Sequence, residues 1–167
     1  MRIILVGFPG CGKSSVGKKL AAKLGCDFVD LDDAFEEEYH VSIVDFFAKY
    51  NEQAFRSCER KVLLDKLQLD NIVISSGGGT PCFSSNMDTM KQFGMVVYIK
   101  MAPASLFDRL SHAKRVRPLV QNLTPEELQE FIATNLPKRE TFYQQAHLTV
   151  KGESIDIEGL CMEIREH

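Results

Sequence analysis

Gly7-Phe8-Pro9-Gly10-Cys11-Gly12-Lys13-Ser14 satisfies the phosphate-loop pattern G-x-x-x-x-G-K-[ST]. Ile3-Ile4-Leu5-Val6, just before it, is the β-branched apolar run of a buried parallel strand. Just after it, Val16, Leu20, Ala21 and Leu24 recur at helical spacing. Strand, glycine-rich turn and helix therefore follow in the order the motif requires, and a chance glycine turn would not carry the Lys-Ser pair as well. Gly10 and Gly12 lack a Cβ, so the backbone can bring its N–H groups close to a phosphate. The helix opening near Lys13 presents free N–H groups and its positive dipole end to the same anion. Lys13 reaches the β- and γ-phosphates, and the Ser14 hydroxyl suits Mg²⁺. A nucleoside triphosphate site is predicted at Gly10, Cys11, Gly12, Lys13, Ser14 and Ser15.

Working outward, 167 residues make one domain, 1–167, long enough to bury roughly 70% of its unfolded surface. With 44% hydrophobic and 26% charged residues, the composition is that of an ordinary soluble globule. A net charge of −3 carries no basic excess that would point to nucleic acid or an anionic membrane. A phosphate strand starting at Arg2 leaves no room for a targeting peptide, and no apolar run approaches the roughly 18 residues of a membrane span. Five cysteines (Cys11, Cys26, Cys58, Cys82, Cys161) with no C-x-x-C pair fit reduced thiols in a cytoplasmic protein without a zinc site. The four histidines are scattered and form no ligand cluster.

Strands and helices alternate along the chain, which predicts a parallel sheet with helices on both faces. Further strands are expected at Phe28–Asp30, Ile72–Ser75, Met95–Ile99 and, as an edge, Leu148–Val150. Helices are expected over 33–39, 42–50 with Ser42 as N-cap, 52–67, 103–110 and 155–164. Thr124-Pro125-Glu126-Glu127 reads as a capping box with proline at the first helical position. Pro137 is expected to break or kink that helix, so that Arg139 opens a new turn.

Ligands of open parallel sheets sit beyond the carboxyl ends of the strands, and three successive strand ends here lead into unusual residues. Asp30 and Asp32, two apart on an extended segment, point the same way and are expected to face Ser14 from the next strand, one near Mg²⁺ and one near an acceptor hydroxyl. Asp33 with Glu36 fits a helix N-cap pair. Gly77-Gly78-Gly79 is entropically costly as a bare turn, so a backbone offered closely to a ligand explains it better. Arg56 with Glu59 reads, from spacing alone, as a surface ion pair. Lys114, Arg115 and Arg117 form either a solvated loop or a basic flap. Arg139 by itself is uninformative.

Together these residues resemble the shikimate kinase family, a branch of the phosphate-loop proteins with the nucleoside monophosphate kinase-like fold. The likeness runs over nearly the whole chain, in order: Gly7–Ser14, Asp30-Leu31-Asp32, Ser42-Ile43 with Phe46-Phe47, Glu52–Arg56 with Glu59, Gly77–Gly79, Arg117-Pro118-Leu119, and Lys138-Arg139 with Tyr143. It implies a three-layer αβα domain with a five-stranded parallel sheet, a mobile lid over about 112–123 and a substrate-binding helical segment over about 32–60. It implies ATP as cosubstrate with Mg²⁺, and shikimate, phosphorylated at its 3-hydroxyl on the route to chorismate and aromatic amino acids. In the family's pattern Arg56 and Arg139 hold the substrate carboxylate, Glu59 orients Arg56, and Asp32 binds ring hydroxyls beside the one phosphorylated. Gly77, Gly78 and Gly79 line that side. Ser14 binds Mg²⁺ with Asp30 nearby through water, Lys13 and Arg117 neutralise the transferring phosphoryl, and Arg109 stacks on adenine.

Asn51 stands where the family usually has glycine, and Lys151-Gly152-Glu153-Ser154 does not align with the second adenine contact, which stays unassigned. Cys11 is unusual within the loop; a helix N-terminus lowers a thiol's pKa, and alkylating it is expected to block ATP. A monomer is expected. A gluconate or nucleoside monophosphate kinase would keep loop and lid but leaves the Glu52–Glu59 element and the triple glycine unexplained. A non-catalytic nucleotide-binding regulator has no reason to keep Lys13, Ser14, Asp32 and Arg117 together.

Overall fold

The computed structural model describes residues 1–114 and 117–167; of the basic segment, Arg115 lies outside the described residues. Five parallel strands form one sheet in the order β2-β3-β1-β4-β5: β1 (Arg2–Val6), β2 (Asp27–Asp30), β3 (Ile72–Ser75), β4 (Met95–Lys100) and β5 (Leu148–Lys151). β1 takes the middle because Ile3, Ile4, Leu5 and Val6 are wholly buried, as a strand covered on both faces must be. β5 is an edge strand, as expected, and so is the brief β2.

The helices flank this sheet in a three-layer α/β arrangement. They are α1 (Lys13–Leu24), α2 (Leu31–Tyr39), α3 (Ile43–Lys49), α4 (Glu52–Lys66), α5 (Asn86–Phe93), α6 (Pro103–Ser111), α7 (Pro125–Tyr143) and α8 (Ile157–Glu166). Ser42 caps α3 by accepting from the Asp45 N–H at 3.0 Å. Thr124 and Glu127 form the expected reciprocal box, at 2.8 and 3.2 Å, with Pro125 as the first residue of α7.

Three local readings need correction. α7 runs unbroken through Pro137; the stripe Leu128, Ile132, Leu136 and Tyr143 is buried, and that burial carries the helix past one missing N–H. α2 starts two residues early, and its N-cap is Asp30, whose carboxylate accepts from the Asp32 N–H at 2.9 Å. Asp33 is therefore a first-turn residue, and Asp32 is helical, not extended. α5 carried no signal in the sequence. Its N-cap, Ser85, is left-handed without a side-chain cap bond, and only Asn86, Met87 and Met90 of its residues are buried.

α2, α3 and α4 are joined by aromatic rings. Phe35 lies 4.8 Å from Tyr39, 5.2 Å from Phe46 and 5.0 Å from Phe55, centroid to centroid, and Phe47 lies 4.7 Å from Phe55. This cluster fixes the helical segment on which Asp32 and Arg56 ride. Truncating its buried centre, Phe35→Ala, should cost about 3–5 kcal/mol. In urea that lowers the unfolding midpoint by more than about 1 M.

Candidate active site

β1, β3 and β2 end level with one another: Leu5 is opposite Ser75, and Ser75 is opposite Asp30. Their carboxyl ends open into a cleft of about 740 Å³ lined from the phosphate loop, α2, α4, the triple glycine, 117–120 and Arg139. It gathers Gly10, Gly12, Lys13, Ser14, Asp30, Asp32, Arg56, Gly77, Gly78, Gly79, Arg117 and Arg139. Cys11, Ser15 and Arg109 are not among its lining residues. The Cys11 thiol is buried and 3.7 Å from the Lys13 ammonium, so alkylation requires the loop to open. Arg109 lines a shallower hollow with Ser105, Asp108 and Glu153 and crosses the phosphate loop at Gly12.

On the phosphate side the backbone does the shaping. Gly10 and Gly12 have φ of 89° and 92°, left-handed torsions that favour glycine. The buried Lys13 ammonium curls over the loop and donates to the Gly7 carbonyl at 2.7 Å and the Phe8 carbonyl at 3.3 Å. Ser14 Oγ donates to Asp30 Oδ2, and Ser75 Oγ lies 3.4 Å away. β2 is separated from β1 by β3, so Asp30 meets Ser14 across Ser75 and not from a neighbouring strand. Ser75 carried no assignment in the sequence beyond the end of a strand; its hydroxyl joins the cluster. These are hard oxygen donors of the kind Mg²⁺ takes, an ion that keeps several waters and leans on phosphate oxygens. Among the described residues no group of three or more His, Cys, Asp or Glu side chains forms a metal cage.

The opposite side is built from charged side chains. Arg56 is only 8% exposed, so the surface ion pair suggested by spacing is in fact a buried one. Its Nη1 donates to Glu59 Oε1 at 3.0 Å and its Nη2 to Glu52 Oε1 at 3.3 Å. The guanidinium carbon lies 4.2 Å from the Phe83 ring centroid and 5.1 Å from that of Phe55. Arg139, on α7, holds its guanidinium 5.5 Å from the Phe8 ring of the phosphate loop. Arg56 Nε and Arg139 Nη1 are buried nitrogens with no hydrogen-bond partner. A buried unpaired donor is costly, and two cationic ones in one cleft point to an anion.

The triple glycine is demanded by close approach and not by torsion. A Cβ on Gly77 would lie 3.3 Å from Asp32 Oδ1 and 3.2 Å from Glu59 Oε2. One on Gly78 would lie 2.4 Å from Pro9 Cδ, and one on Gly79 2.5 Å from Arg56 Nη2. Tyr143 Oη donates to the Gly78 carbonyl at 2.5 Å; burial raises its pKa, so it stays a protonated donor. Burial likewise pushes the Cys82 thiol up to about 11, against the pull of Arg139 and Arg56. The sequence offered no signal for Phe83, whose contact with Arg56 is purely tertiary.

A two-sided cleft of this kind, a phosphate loop facing two unsatisfied arginines, suits a triphosphate on one side and a small anionic acceptor on the other. Comparison with known proteins agrees. A family model described as shikimate kinase matches residues 9–166. The curated shikimate kinase of Phocaeicola vulgatus is 41% identical over 155 residues, covering 93% of this chain and 89% of that protein. The crystal structure of shikimate kinase from Bacteroides thetaiotaomicron superimposes with a TM-score of 0.91 at 38% identity, over 99% of this chain and 97% of the other. That of the Acinetobacter baumannii enzyme in complex with shikimate gives 0.84 at 30% identity, over 99% and 90%.

A nucleotide held by this loop at about a hundred times its Kd adds about 2.7 kcal/mol of stability. In Lys13→Met most of that gain should disappear, measured as the rise in Tm on adding Mg²⁺ and ADP. A variant whose Tm responds like the parent protein would take Lys13 out of the nucleotide site.

Proposed function

This chain belongs to the shikimate kinase family, and from that premise we propose that it transfers the γ-phosphoryl group of ATP to the 3-hydroxyl of shikimate, giving shikimate 3-phosphate and ADP. This is a step toward chorismate and the aromatic amino acids. The observation that carries the reading is the pair of unpartnered guanidinium nitrogens, Arg56 Nε and Arg139 Nη1, in the same cleft as Lys13 and Asp32. Two arginines lining one cleft suit a carboxylate by charge-assisted bonds, and the Asp32 carboxylate in the same cleft suits the hydroxyls of a ring.

In this reading Arg56 and Arg139 take the shikimate carboxylate, with Glu59 orienting Arg56. Asp32, close against Gly77, accepts the hydrogen bond of the reacting hydroxyl and directs its oxygen at the γ-phosphorus. The oxygen–phosphorus bond forms as the bond to the β–γ bridging oxygen breaks, the hydroxyl proton passes to the Asp32 carboxylate and on to water, and ADP leaves. Lys13 releases the loop carbonyls for the β- and γ-phosphates, and Arg117 adds positive charge from the lid side. Mg²⁺, held beside Ser14 and Asp30, would offset charge on the phosphate oxygens. Arg109, lying across Gly12, is the residue we assign to the adenine face. Residues 112–123 act as the lid that excludes water from ATP, and 32–60 as the acid-binding segment of a single domain. One chain supplies both sides of the cleft, which supports a monomer as the working unit. No helix of the described residues is long and apolar enough to cross a membrane.

The reading is tested by ADP release with shikimate, gluconate and several nucleoside monophosphates in parallel. Only shikimate should support rapid turnover, and a preference for any other acceptor overturns it. Losing a hydrogen bond to a charged group costs about 1.5–3 kcal/mol, so Arg56→Ala and Arg139→Ala should each raise the shikimate KM about 10- to 100-fold. The ATP KM should hardly change. Asp32→Asn should instead lower kcat by about 100-fold or more, the scale of a lost acid–base group; near-normal turnover would exclude that role.

A further inference from the structure

An arginine that grips a carboxylate must be fixed before the ligand arrives, because its long side chain otherwise gives up rotamer freedom on binding. Glu59 fixes one edge of Arg56 through Oε1. A carboxylate held by one oxygen can still pivot. Its second oxygen, Oε2, accepts from Thr80 Oγ1 at 2.8 Å, and Thr80 is completely buried.

Thr80 is held in turn. Its carbonyl accepts from Nδ2 of the buried Asn86 at 2.9 Å. Asn86 Oδ1 accepts from Arg60 Nη1, and the same nitrogen donates to the Ser84 carbonyl at 2.8 Å. Ser84 and Ser85 both have left-handed torsions, φ 52° and 54°, which L side chains adopt at a cost and which surrounding bonds must maintain. The turn so held also presents Phe83, whose ring covers the Arg56 guanidinium. Arg60 lies one helical turn beyond Arg56 on α4, so the chain of bonds leaves the helix at one arginine and returns to it at the next.

We propose that Thr80 is a positioning residue for the acid-binding arginine: its hydroxyl locks Glu59, Glu59 locks Arg56, and Asn86 with Arg60 secures the turn that supplies both the hydroxyl and the Phe83 ring. The inference rests on Arg56 holding the substrate carboxylate. None of Thr80, Asn86 or Arg60 touches shikimate in this scheme; they set how well Arg56 is aimed.

The test is Thr80→Val, which keeps the shape and removes the hydroxyl, with Thr80→Ser as the conservative rescue. Thr80→Val should raise the shikimate KM about tenfold, the scale of one bond to a charged group. Its kcat and ATP KM should stay within about twofold, and Thr80→Ser should return the shikimate KM to near the parent value. On an Arg56→Ala background Thr80→Val should add nothing, because the residue through which it acts is gone. A parent-like shikimate KM in Thr80→Val, an equal loss in kcat and both KM values, or a further rise on the Arg56→Ala background would each overturn the relay. If Arg56→Ala alone leaves the shikimate KM unchanged, the acid-site reading itself fails, and the relay with it. Should Thr80→Val not fold, Arg60→Met reads the same chain from its far end, and a shikimate KM unchanged there would equally refute it.

Discussion

Ser75 stands level with Leu5 on one side and Asp30 on the other, and that register is the constraint from which the cleft follows. A parallel sheet delivers all its strand ends to one edge. The order β2-β3-β1 makes three of those ends adjacent although they are far apart in the chain. The phosphate loop, the Asp30 carboxylate and the triple glycine then need no long connection to meet. The bond from Ser14 to Asp30, with Ser75 beside it, is the direct product of that alignment. A slip of one residue in β2 would turn Asp30 to the other face of the sheet.

The two sides of the cleft are made by different means. Backbone N–H groups, glycine torsions and a helix end form the phosphate side, all within eight consecutive residues. The acid side draws on α4, the glycine segment and α7. There the energetic problem is a buried cation. Removing a guanidinium from water costs several kcal/mol unless bonds replace the hydration. Arg56 recovers part of this through Glu59, Glu52 and two aromatic rings, and part is left unrecovered at Nε. A site that is incompletely satisfied on its own has that much more to gain from a carboxylate, and rigidity keeps the gain from being lost to ordering.

How much of this was legible in the sequence follows the same division. The phosphate loop was readable because its chemistry is local: the torsions of Gly10 and Gly12 and the reach of Lys13 are set by neighbours in the chain. The caps at Ser42 and Thr124 were readable for the same reason. Arg56 was legible only through the family resemblance, since three-residue spacing to Glu59 is as common on a solvated helix face, and it is the Phe83 ring and the Gly79 segment, far away in the chain, that cover its guanidinium. The Asp30–Asp32 pair was assigned to the right cleft by a wrong geometry, because an aspartate that ends a strand also caps a helix. The triple glycine signalled close approach but not what approaches, namely Asp32, Pro9 and Arg56 side chains. Thr80, Phe83 and Asn86 act only through tertiary contacts.

Specificity should accordingly reside where the side chains are. The phosphate loop cannot distinguish one acceptor from another, because everything it offers is directed at phosphate. The side opposite the phosphate loop sets one guanidinium, one carboxylate and a glycine wall close together: Gly79 against Arg56, Gly77 against Asp32 and Gly78 against Pro9 of the loop itself. A side chain added at Gly78 would collide with Pro9 and one added at Gly79 with the Arg56 guanidinium, so each position is held by a different neighbour. Gly78 also ties the two halves together, with Pro9 on one side and the Tyr143 hydroxyl holding its carbonyl. The glycine segment is thereby set against the phosphate loop, and the spacing between the two sides of the cleft is a property of the fold.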